Sequence, residues 1–289
     1  MPTFRTHDGI LLAYHAYGTG APVVCVPGGP GRAGGYLSGI AGAMPGRTAI
    51  VLDNRGTGAS QSPDDAKGYS VDRVADDIAA LQEHLGEERT DLVVHSSAGN
   101  AGLLYVLRAP DRIRRLVLIA PSLRVAGVAV TGFAEALERR AGEPWYPAAR
   151  AAIDQWAATS TMADSMPYRE AAAPFFYGRW DPAAQNHAAA EVSETALPAA
   201  EGFYADVASV DVDAVRAGLA RLEVPVLVLT GELDPFPTPG TGAAFAELTG
   251  SATHRVLAGC GHYPWIDDVA ALAHVLAPVL DRPGRPVHR

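Results

Sequence analysis

Short segments rich in valine, leucine and isoleucine alternate with helix-like segments along most of this chain. The strand-like segments lie at residues 10–17, 22–26, 48–53, 91–95, 115–120, 225–230 and 254–257. Helix-like segments lie at residues 70–86, 98–108 and from about 267 to 280. Apolar strands separated by helices are typical of a mainly parallel sheet that helices cover on both faces. The sequence therefore predicts an α/β fold.

Residues 123–224 interrupt this alternation. They are rich in alanine, glutamate and aromatic residues and contain no pattern of a buried strand. Open α/β sheets bind their ligands at the carboxyl ends of the strands. We therefore predict a core of residues 1–122 and 225–289, and a helical cap of residues 123–224 over that edge of the sheet.

The composition argues against several classes of protein. The 289 residues are 48% hydrophobic and 19% charged, which indicates a globular chain rather than a disordered one. The net charge of −9, without a basic stripe, argues against a nucleic-acid partner. No apolar stretch approaches the roughly 18 residues that span a bilayer, and the N-terminus has no apolar leader segment. We therefore expect a cytoplasmic protein without a membrane partner.

The segment DLVVHSSAGN, residues 91–100, combines a strand end, small polar residues and the start of a helix. This is the layout of a nucleophile elbow, G-x-S-x-G, in which a sharp strand-to-helix turn raises a serine above the sheet. Small residues flank that serine because its backbone lies close to the neighbouring strands. The segment is thus a candidate site for a nucleophile.

Two adjacent serines compete for the apex of this elbow. With Ser97 at the apex, Gly99 fills the second glycine position and His95 replaces the first. With Ser96 at the apex, neither glycine position holds a glycine. The number of matching glycines therefore favours Ser97 as the nucleophile.

Three further loops carry chemically useful groups. The loop PGGPG, residues 27–31, follows a strand, and its glycines allow backbone amides to approach a developing oxyanion. Asp234 lies just past the strand at residues 225–230, where a carboxylate can orient an imidazole. His262 lies past the strand at residues 254–257, between glycines and a proline, which indicates a loop rather than a core position.

Ser97, Asp234 and His262 each follow a different strand and occur in the chain order Ser…Asp…His. This is the order of the catalytic triad in α/β-hydrolases. In such a triad the serine attacks a carbonyl, the histidine takes its proton and returns it to the leaving group, and the aspartate orients the imidazole. The sequence therefore predicts acyl-enzyme chemistry that requires no metal and no cofactor.

These motifs are similar to those of the α/β-hydrolase superfamily and, within it, of the proline iminopeptidase branch. PGGPG resembles the oxyanion loop HGGPG of that branch, DNRGTGAS its D-x-R-G-x-G-x-S block, and TGELDPFPTP and AGCGHYPW its acid and histidine loops. The resemblance implies a mostly parallel central sheet flanked by helices, with a helical cap inserted after the sixth strand. It also implies that the oxyanion hole consists of the backbone amides of Gly29 and Ala98, with Gly28 as the alternative donor. Pro27 and His95 depart from the pattern of the family.

The same resemblance assigns substrate recognition to the cap. Glu201 resembles a cap glutamate that binds the free amine of the substrate in these peptidases. Aromatic residues of the cap are expected to line the substrate pocket: Phe176, Tyr177, Trp180 and Tyr204. Packing inside the cap is the alternative role for each of these aromatic residues, and an exposed helix position is the alternative for Glu201.

Three functions are compatible with these features. The first is an aminopeptidase that releases an N-terminal proline, or another small apolar residue, from short peptides. The second is an esterase, amidase or thioesterase that uses the same triad on a small metabolite. The third is a non-catalytic receptor that binds a ligand in the hydrolase pocket. In each case the partner is a small molecule or a short peptide.

Overall fold

A computed structural model describes residues 1–281, so residues 282–289 of the predicted core lie outside the described residues. The strands are β1 (Thr3–Arg5), β2 (Leu11–Gly18), β3 (Ala21–Val26), β4 (Arg47–Leu52), β5 (Thr90–His95), β6 (Ile113–Ile119), β7 (Val226–Gly231) and β8 (Ala252–Leu257). They form one sheet in the order β1-β2-β4-β3-β5-β6-β7-β8. The pairs from β4 to β8 are parallel, whereas β1 pairs with β2, and β2 with β4, in antiparallel fashion. The predicted mainly parallel sheet is confirmed.

β1 is a strand that the sequence pattern did not indicate. It contains three residues, and Phe4 is the buried one, with 3% of its surface exposed. A strand this short is below the length over which an alternating pattern can be recognised. Its pairing with β2 extends the antiparallel edge of the sheet.

Helices surround the sheet. The α-helices are α1 (Val71–His84), α2 (Gly99–Arg108), α3 (Phe133–Glu138), α4 (Tyr146–Ala157), α5 (Met162–Ala172), α6 (Pro182–Ala189), α7 (Glu191–Glu194), α8 (Leu197–Gly202), α9 (Val212–Ala220), α10 (Pro239–Ala246), α11 (Pro264–Asp267) and α12 (Val269–Leu280). Short 3-10 helices span Gly34–Ala43, Ala66–Tyr69, Ser96–Ala98, Pro110–Arg112, Arg124–Ala126, Ala173–Phe176 and Val207–Ser209. Within residues 1–281, none of the helices combines the length and apolar character needed to cross a membrane.

The central strands bury both of their faces. In β5, Leu92 and Val94 belong to one hydrophobic cluster, together with Ile78 of α1, while Val93 belongs to a second cluster on the opposite face. Leu276 of α12 packs in that second cluster. Because alternate side chains of a strand point to opposite faces, a strand covered on both sides must be apolar throughout. This explains the continuous apolar segments of the sequence.

The chain between β6 and β7 forms the predicted helical insertion after the sixth strand. It contains helices α3 to α9, and it contains no strand among its described residues. Leu137, Ile153 and Phe175 are buried in a small hydrophobic cluster of the insertion itself. The insertion is therefore helical and has its own packing, while its boundaries at residues 123 and 224 stay a prediction.

Candidate active site

The turn after β5 has Ser96 at its apex. Ser96 has a φ of 53°, a strained value that few non-glycine residues adopt and that fits the serine of an elbow. Ser97 lies one residue further, in the helical turn Ser96–Ala98; it is 2% exposed, and its Oγ has no hydrogen-bond partner within the described chain. The prediction that Ser97 occupies the apex is therefore wrong, and Ser96 takes its place.

Two contacts explain why the number of matching glycines was misleading. With Ser96 at the apex, Val94 stands two residues before it, where the motif has glycine. Val94 fits because α2 has a glycine opposite: a Cβ on Gly102 would lie 2.9 Å from Val94 Cγ1. Gly99 serves a different contact, since a Cβ there would lie 2.7 Å from the carbonyl oxygen of Ser122. The glycine that the elbow requires is therefore on the neighbouring helix.

The loops after β7 and β8 bring Asp234 and His262 together. The Nδ1–H of His262 donates a hydrogen bond to Asp234 Oδ2 at 2.8 Å. Asp234 is fully buried, and its Oδ1 accepts the backbone N–H of Phe236 at 2.9 Å. Because Nδ1 is engaged, Nε2 is the imidazole atom that can exchange a proton with a nucleophile. The structure thus joins the two residues that the sequence analysis singled out, and their catalytic roles stay predictions.

The loop after β3 brings two backbone amides to the elbow. The Gly28 N–H donates to the Tyr36 hydroxyl at 2.7 Å, so this amide is already occupied. The Gly29 N–H has no acceptor among residues 1–281. A Cβ on Gly28 would lie 2.9 Å from the backbone nitrogen of Ser97, so the Ser97 amide adjoins the same loop. Since Ser97 rather than Ala98 follows the apex serine, Ser97 replaces Ala98 as the candidate donor beside Gly29.

His95 connects the elbow with two other loops. Its Nε2–H donates to the carbonyl oxygen of His262 at 3.0 Å, and its Nδ1 accepts the Tyr36 hydroxyl at 2.7 Å. This tautomer follows because a carbonyl oxygen can only accept. Burial, followed by the nearby His262, holds the pKa of His95 well below its usual value, so the ring is neutral. Hydrogen bonds therefore run from Gly28 through Tyr36 and His95 to the histidine loop.

A cavity of about 580 Å³ is lined by both Ser96 and His262, and this size is typical of small-molecule sites. Three of the predicted substrate-contacting residues line it: Phe176, Tyr177 and Tyr204. Trp180 does not line the cavity; its ring packs against Tyr177, with ring centroids 5.6 Å apart. The prediction for Trp180 is therefore wrong, and the alternative role, packing inside the insertion, applies to it.

The carboxylate of the cavity is Glu191 and not Glu201. Glu201 is exposed on α8 and is absent from the cavity wall, which contradicts its predicted contact with substrate. Glu191 of α7 lines the cavity, and its Oε1 accepts a hydrogen bond from Arg169 Nη2 at 2.7 Å. Burial raises the pKa of Glu191, but the adjacent Arg169 outweighs this effect and the pKa is lowered. Glu191 is thus an ionised partner of an arginine.

Cationic side chains of the cavity were not indicated by the sequence pattern: Arg32, Arg124 and Arg169. Arg32 directly follows PGGPG, and this proximity is the one local signal that could have identified it. Arg124 stacks on the Tyr204 ring, with 4.5 Å between its Cζ and the ring centroid.

Among residues 1–281, no group of three histidine, cysteine, aspartate or glutamate side chains is placed to hold a metal ion.

The sequence of this chain matches a known protein family. The model of the family described as alpha/beta hydrolase fold matches residues 21–269. A curated relative, the cis-3-alkyl-4-alkyloxetan-2-one decarboxylase of Shewanella oneidensis, is 36% identical over 118 residues, which are 40% of this chain and 37% of the relative. The match therefore spans well under half the length of that relative.

Solved structures resemble the chain over nearly its whole length. An esterase from Exiguobacterium antarcticum has a TM-score of 0.74 at 19% identity and covers 97% of this chain and 99% of its own. The proline iminopeptidase of Mycobacterium smegmatis has a TM-score of 0.72 at 24% identity and covers 96% of this chain and 97% of its own. At such identities the likeness concerns the fold. Because the family model spans most of the sequence, the chain belongs to the α/β-hydrolase fold family.

Proposed function

We propose that this chain is a serine hydrolase that cleaves carboxylic esters through an acyl-enzyme, with Ser96 as nucleophile, His262 as general base and Asp234 as the partner of the imidazole. The observation that carries the proposal is the strained φ of 53° at Ser96, beside a cavity that His262 also lines. The 2.8 Å hydrogen bond from His262 to Asp234 supports the roles of the other two residues.

In the acylation step, Ser96 Oγ forms a bond to the ester carbonyl carbon while its proton passes to His262 Nε2. The carbonyl oxygen becomes an oxyanion, and the backbone N–H groups of Gly29 and Ser97 donate to it. Collapse of this intermediate breaks the bond to the alkoxy oxygen. That oxygen takes the proton from His262 and leaves as the alcohol, so the acyl group remains on Ser96.

In the deacylation step, water takes the place of the serine hydroxyl as the nucleophile. It loses a proton to His262 as it bonds to the acyl carbon, and the Ser96 oxygen then leaves and recovers that proton. Asp234 remains ionised throughout and stabilises the imidazolium that forms in each half of the reaction. The net change is ester plus water to carboxylic acid plus alcohol.

The charges of the cavity favour an ester over a substrate with a free amine. Glu201, the predicted amine ligand, lies outside the cavity, and Glu191 is ion-paired with Arg169 at 2.7 Å. Arg124 adds positive charge to the wall, whereas the charge of Arg32 is paired with Glu194 at 2.7 Å. A cationic amine would therefore meet repulsion and a carboxylate that is already neutralised.

An aminopeptidase is the second candidate, and the half-buried carboxylate of Glu191 in the cavity wall favours it. Both hydrogen bonds that Arg169 donates to this carboxylate are accepted by Oε1, which leaves the second oxygen available to a substrate amine. A peptidase of this kind would use Ser96, His262 and Asp234 in the same roles and release an amine in place of an alcohol. Its amine ligand would be Glu191 rather than Glu201.

The helical insertion is proposed to act as the substrate-selecting cap of this site. Its residues form much of the cavity wall, including Phe133, Ile153, Trp156, Met162 and Phe176. The wall is thus mainly apolar, with a few charged groups, as in sites for small molecules. We propose a small molecule as the partner and no role for nucleic acid or membrane.

A panel of matched substrates tests the proposal. It contains p-nitrophenyl butyrate, the p-nitroanilides of proline and alanine, and the N-acetylated forms of these anilides. Ester hydrolysis faster than hydrolysis of every anilide supports the ester hydrolase. Preference for the free-amine anilides, lost on acetylation and in Glu191→Gln, supports the aminopeptidase. Absence of turnover and of labelling of Ser96 by a fluorophosphonate contradicts both.

A further inference from the structure

We propose that Arg32 is a positioning residue for this hydrolysis: it fixes the oxyanion loop, defined as residues 28–33, against the helical insertion. The inference rests on the proposed function, because it concerns the loop that supplies the Gly29 amide. It also assigns a role to a buried cation that the triad mechanism does not use. Arg32 is 1% exposed, although an arginine is seldom buried to this extent.

The side chain of Arg32 contacts the insertion and the core at the same time. Its Nε donates to Glu194 Oε2 at 2.7 Å, and its Nη2 donates to the carbonyl oxygen of His187 at 2.8 Å. Its guanidinium lies over the ring of Tyr36, 4.6 Å from the ring centroid. Such a planar cation can bind two acceptors and stack on an aromatic ring simultaneously, which a lysine cannot do.

The backbone on either side of Arg32 is also paired with the insertion. The Ala33 N–H donates to the carbonyl oxygen of Glu194 at 2.9 Å, and the Ala196 N–H donates to the carbonyl oxygen of Gly31 at 2.9 Å. The loop and the insertion are therefore joined by main-chain and side-chain hydrogen bonds at one place. The insertion supports the oxyanion loop here, as a fixed part of the wall.

Arg32 and the Gly29 amide belong to the same tight turn of the oxyanion loop. A Cβ on Gly29 would lie 2.7 Å from the backbone nitrogen of Arg32, so the two residues are in close contact. The carbonyl oxygen of Gly29 accepts a hydrogen bond from Arg169 Nη2 at 3.1 Å. On the other side, the Gly28 amide is bound to the Tyr36 hydroxyl, and Arg32 stacks on that tyrosine. A shift of Arg32 would therefore displace the loop on both sides of the Gly29 amide.

We expect replacement of Arg32 to lower kcat and to leave KM nearly unchanged. A donor to the oxyanion stabilises charge that develops only in the transition state, so its displacement leaves ground-state binding nearly unchanged. Loss of one such donor typically costs about 10²- to 10³-fold in kcat. Because the donor would be displaced and not removed, we expect a fall of about tenfold to 100-fold in Arg32→Met.

The test compares four variants of the full chain with wild type: Arg32→Met, Arg32→Lys, Glu194→Gln and the control Arg139→Met. Arg139 is exposed on the insertion and has no role in the site. For each, kcat and KM for p-nitrophenyl butyrate are normalised to active sites titrated with a fluorophosphonate, so that misfolded molecules do not count. Inhibition constants for butaneboronic acid, which mimics the tetrahedral intermediate, and for butyrate, a ground-state ligand, are measured in parallel.

If Arg32 positions the loop, Arg32→Met lowers kcat and the affinity for the boronic acid together, and KM and butyrate affinity change by less than about threefold. Arg32→Lys recovers only part of the loss, and Arg139→Met matches wild type. Unchanged kcat per active site in Arg32→Met overturns the inference while leaving the ester hydrolase intact. Should Arg32→Met fail to fold, Glu194→Gln decides: a fall of threefold or more in kcat supports the role, and wild-type kcat overturns it. A wild-type protein without ester turnover refutes the proposed function instead.

Discussion

The side chain of Val94 on β5 occupies the space that Gly102 leaves open on α2. A Cβ on residue 102 would lie 2.9 Å from Val94 Cγ1 and 3.2 Å from Val94 Cγ2. Elbows of this kind usually have a glycine on the strand, so the close approach of strand and helix is achieved here by a glycine on the helix. β5 thereby keeps an apolar side chain at Val94 while the turn at Ser96 stays tight.

Gly102→Ala is expected to destabilise the protein by about 1–3 kcal/mol, because the added methyl group overpacks a contact with buried Val94. In an exposed helix the same change would be stabilising by up to about 1 kcal/mol. Thermal and urea unfolding measure the effect. The double variant Val94→Ala, Gly102→Ala should lose less stability than the sum of the two single variants, since the smaller side chain on β5 makes room for the added methyl group. Additive effects of the two changes would contradict this contact.

Ser96→Ala should abolish turnover of p-nitrophenyl butyrate while leaving the fold nearly unchanged. Loss of a triad serine typically costs on the order of 10⁶-fold in kcat. Ser97→Ala is the matched control: its backbone amide remains, so activity should fall by less than about tenfold. A fluorophosphonate should modify Ser96 and not Ser97, as peptide mass spectrometry will show. The opposite pattern would restore Ser97 as the nucleophile.

Asp234→Asn should reduce kcat by about 10⁴-fold, because an amide holds the imidazole of His262 in the wrong tautomer. Glu232→Gln provides the control on the same loop. Glu232 is exposed, and it accepts the Gly259 N–H at 2.8 Å instead of contacting the imidazole. Its replacement should change kcat by less than about threefold. Equal losses in the two variants would leave Asp234 without the predicted role.

Stability should decline as the pH falls from about 6.5 to about 4, partly because of His187. Burial lowers the pKa of His187 from its ordinary value of 6.5 to about 4. Between these values the unfolded chain binds a proton that the folded chain does not, so acid favours unfolding. The contribution is at most about 1.4 kcal/mol per pH unit and levels off below the folded pKa.

Urea unfolding at a series of pH values measures this effect. His187→Gln should show a shallower decline over that window, while it also loses stability because the Tyr177 hydroxyl loses its acceptor on His187. His274→Gln, at an exposed position, is the control for removal of a histidine. If wild type and His187→Gln decline with the same slope, the lowered pKa of His187 is excluded.

The sequence by itself determined seven of the eight strands, with predicted ends that lie within two residues of the observed ones. Apolar segments that alternate with amphipathic helices specify a doubly covered parallel sheet, because each strand must bury both faces. Chain order then placed Asp234 and His262 just past the last strands, and in a parallel sheet such loops meet at one edge. These are consequences of local pattern and connectivity. β1, with three residues, was too short to leave such a pattern.

The tertiary structure decided which serine lies at the apex and which charged residues face the cavity. The apex depends on a contact between Val94 and Gly102, on different elements, so a motif counted along one strand assigned Ser97 in place of Ser96. Glu191 and Glu201 lie on neighbouring helices of the insertion, and helix packing turns the half-buried Glu191 into the cavity wall and leaves Glu201 exposed outside it. Contacts between distant segments leave no periodic signal in the sequence, so these residues could be identified only from the three-dimensional packing.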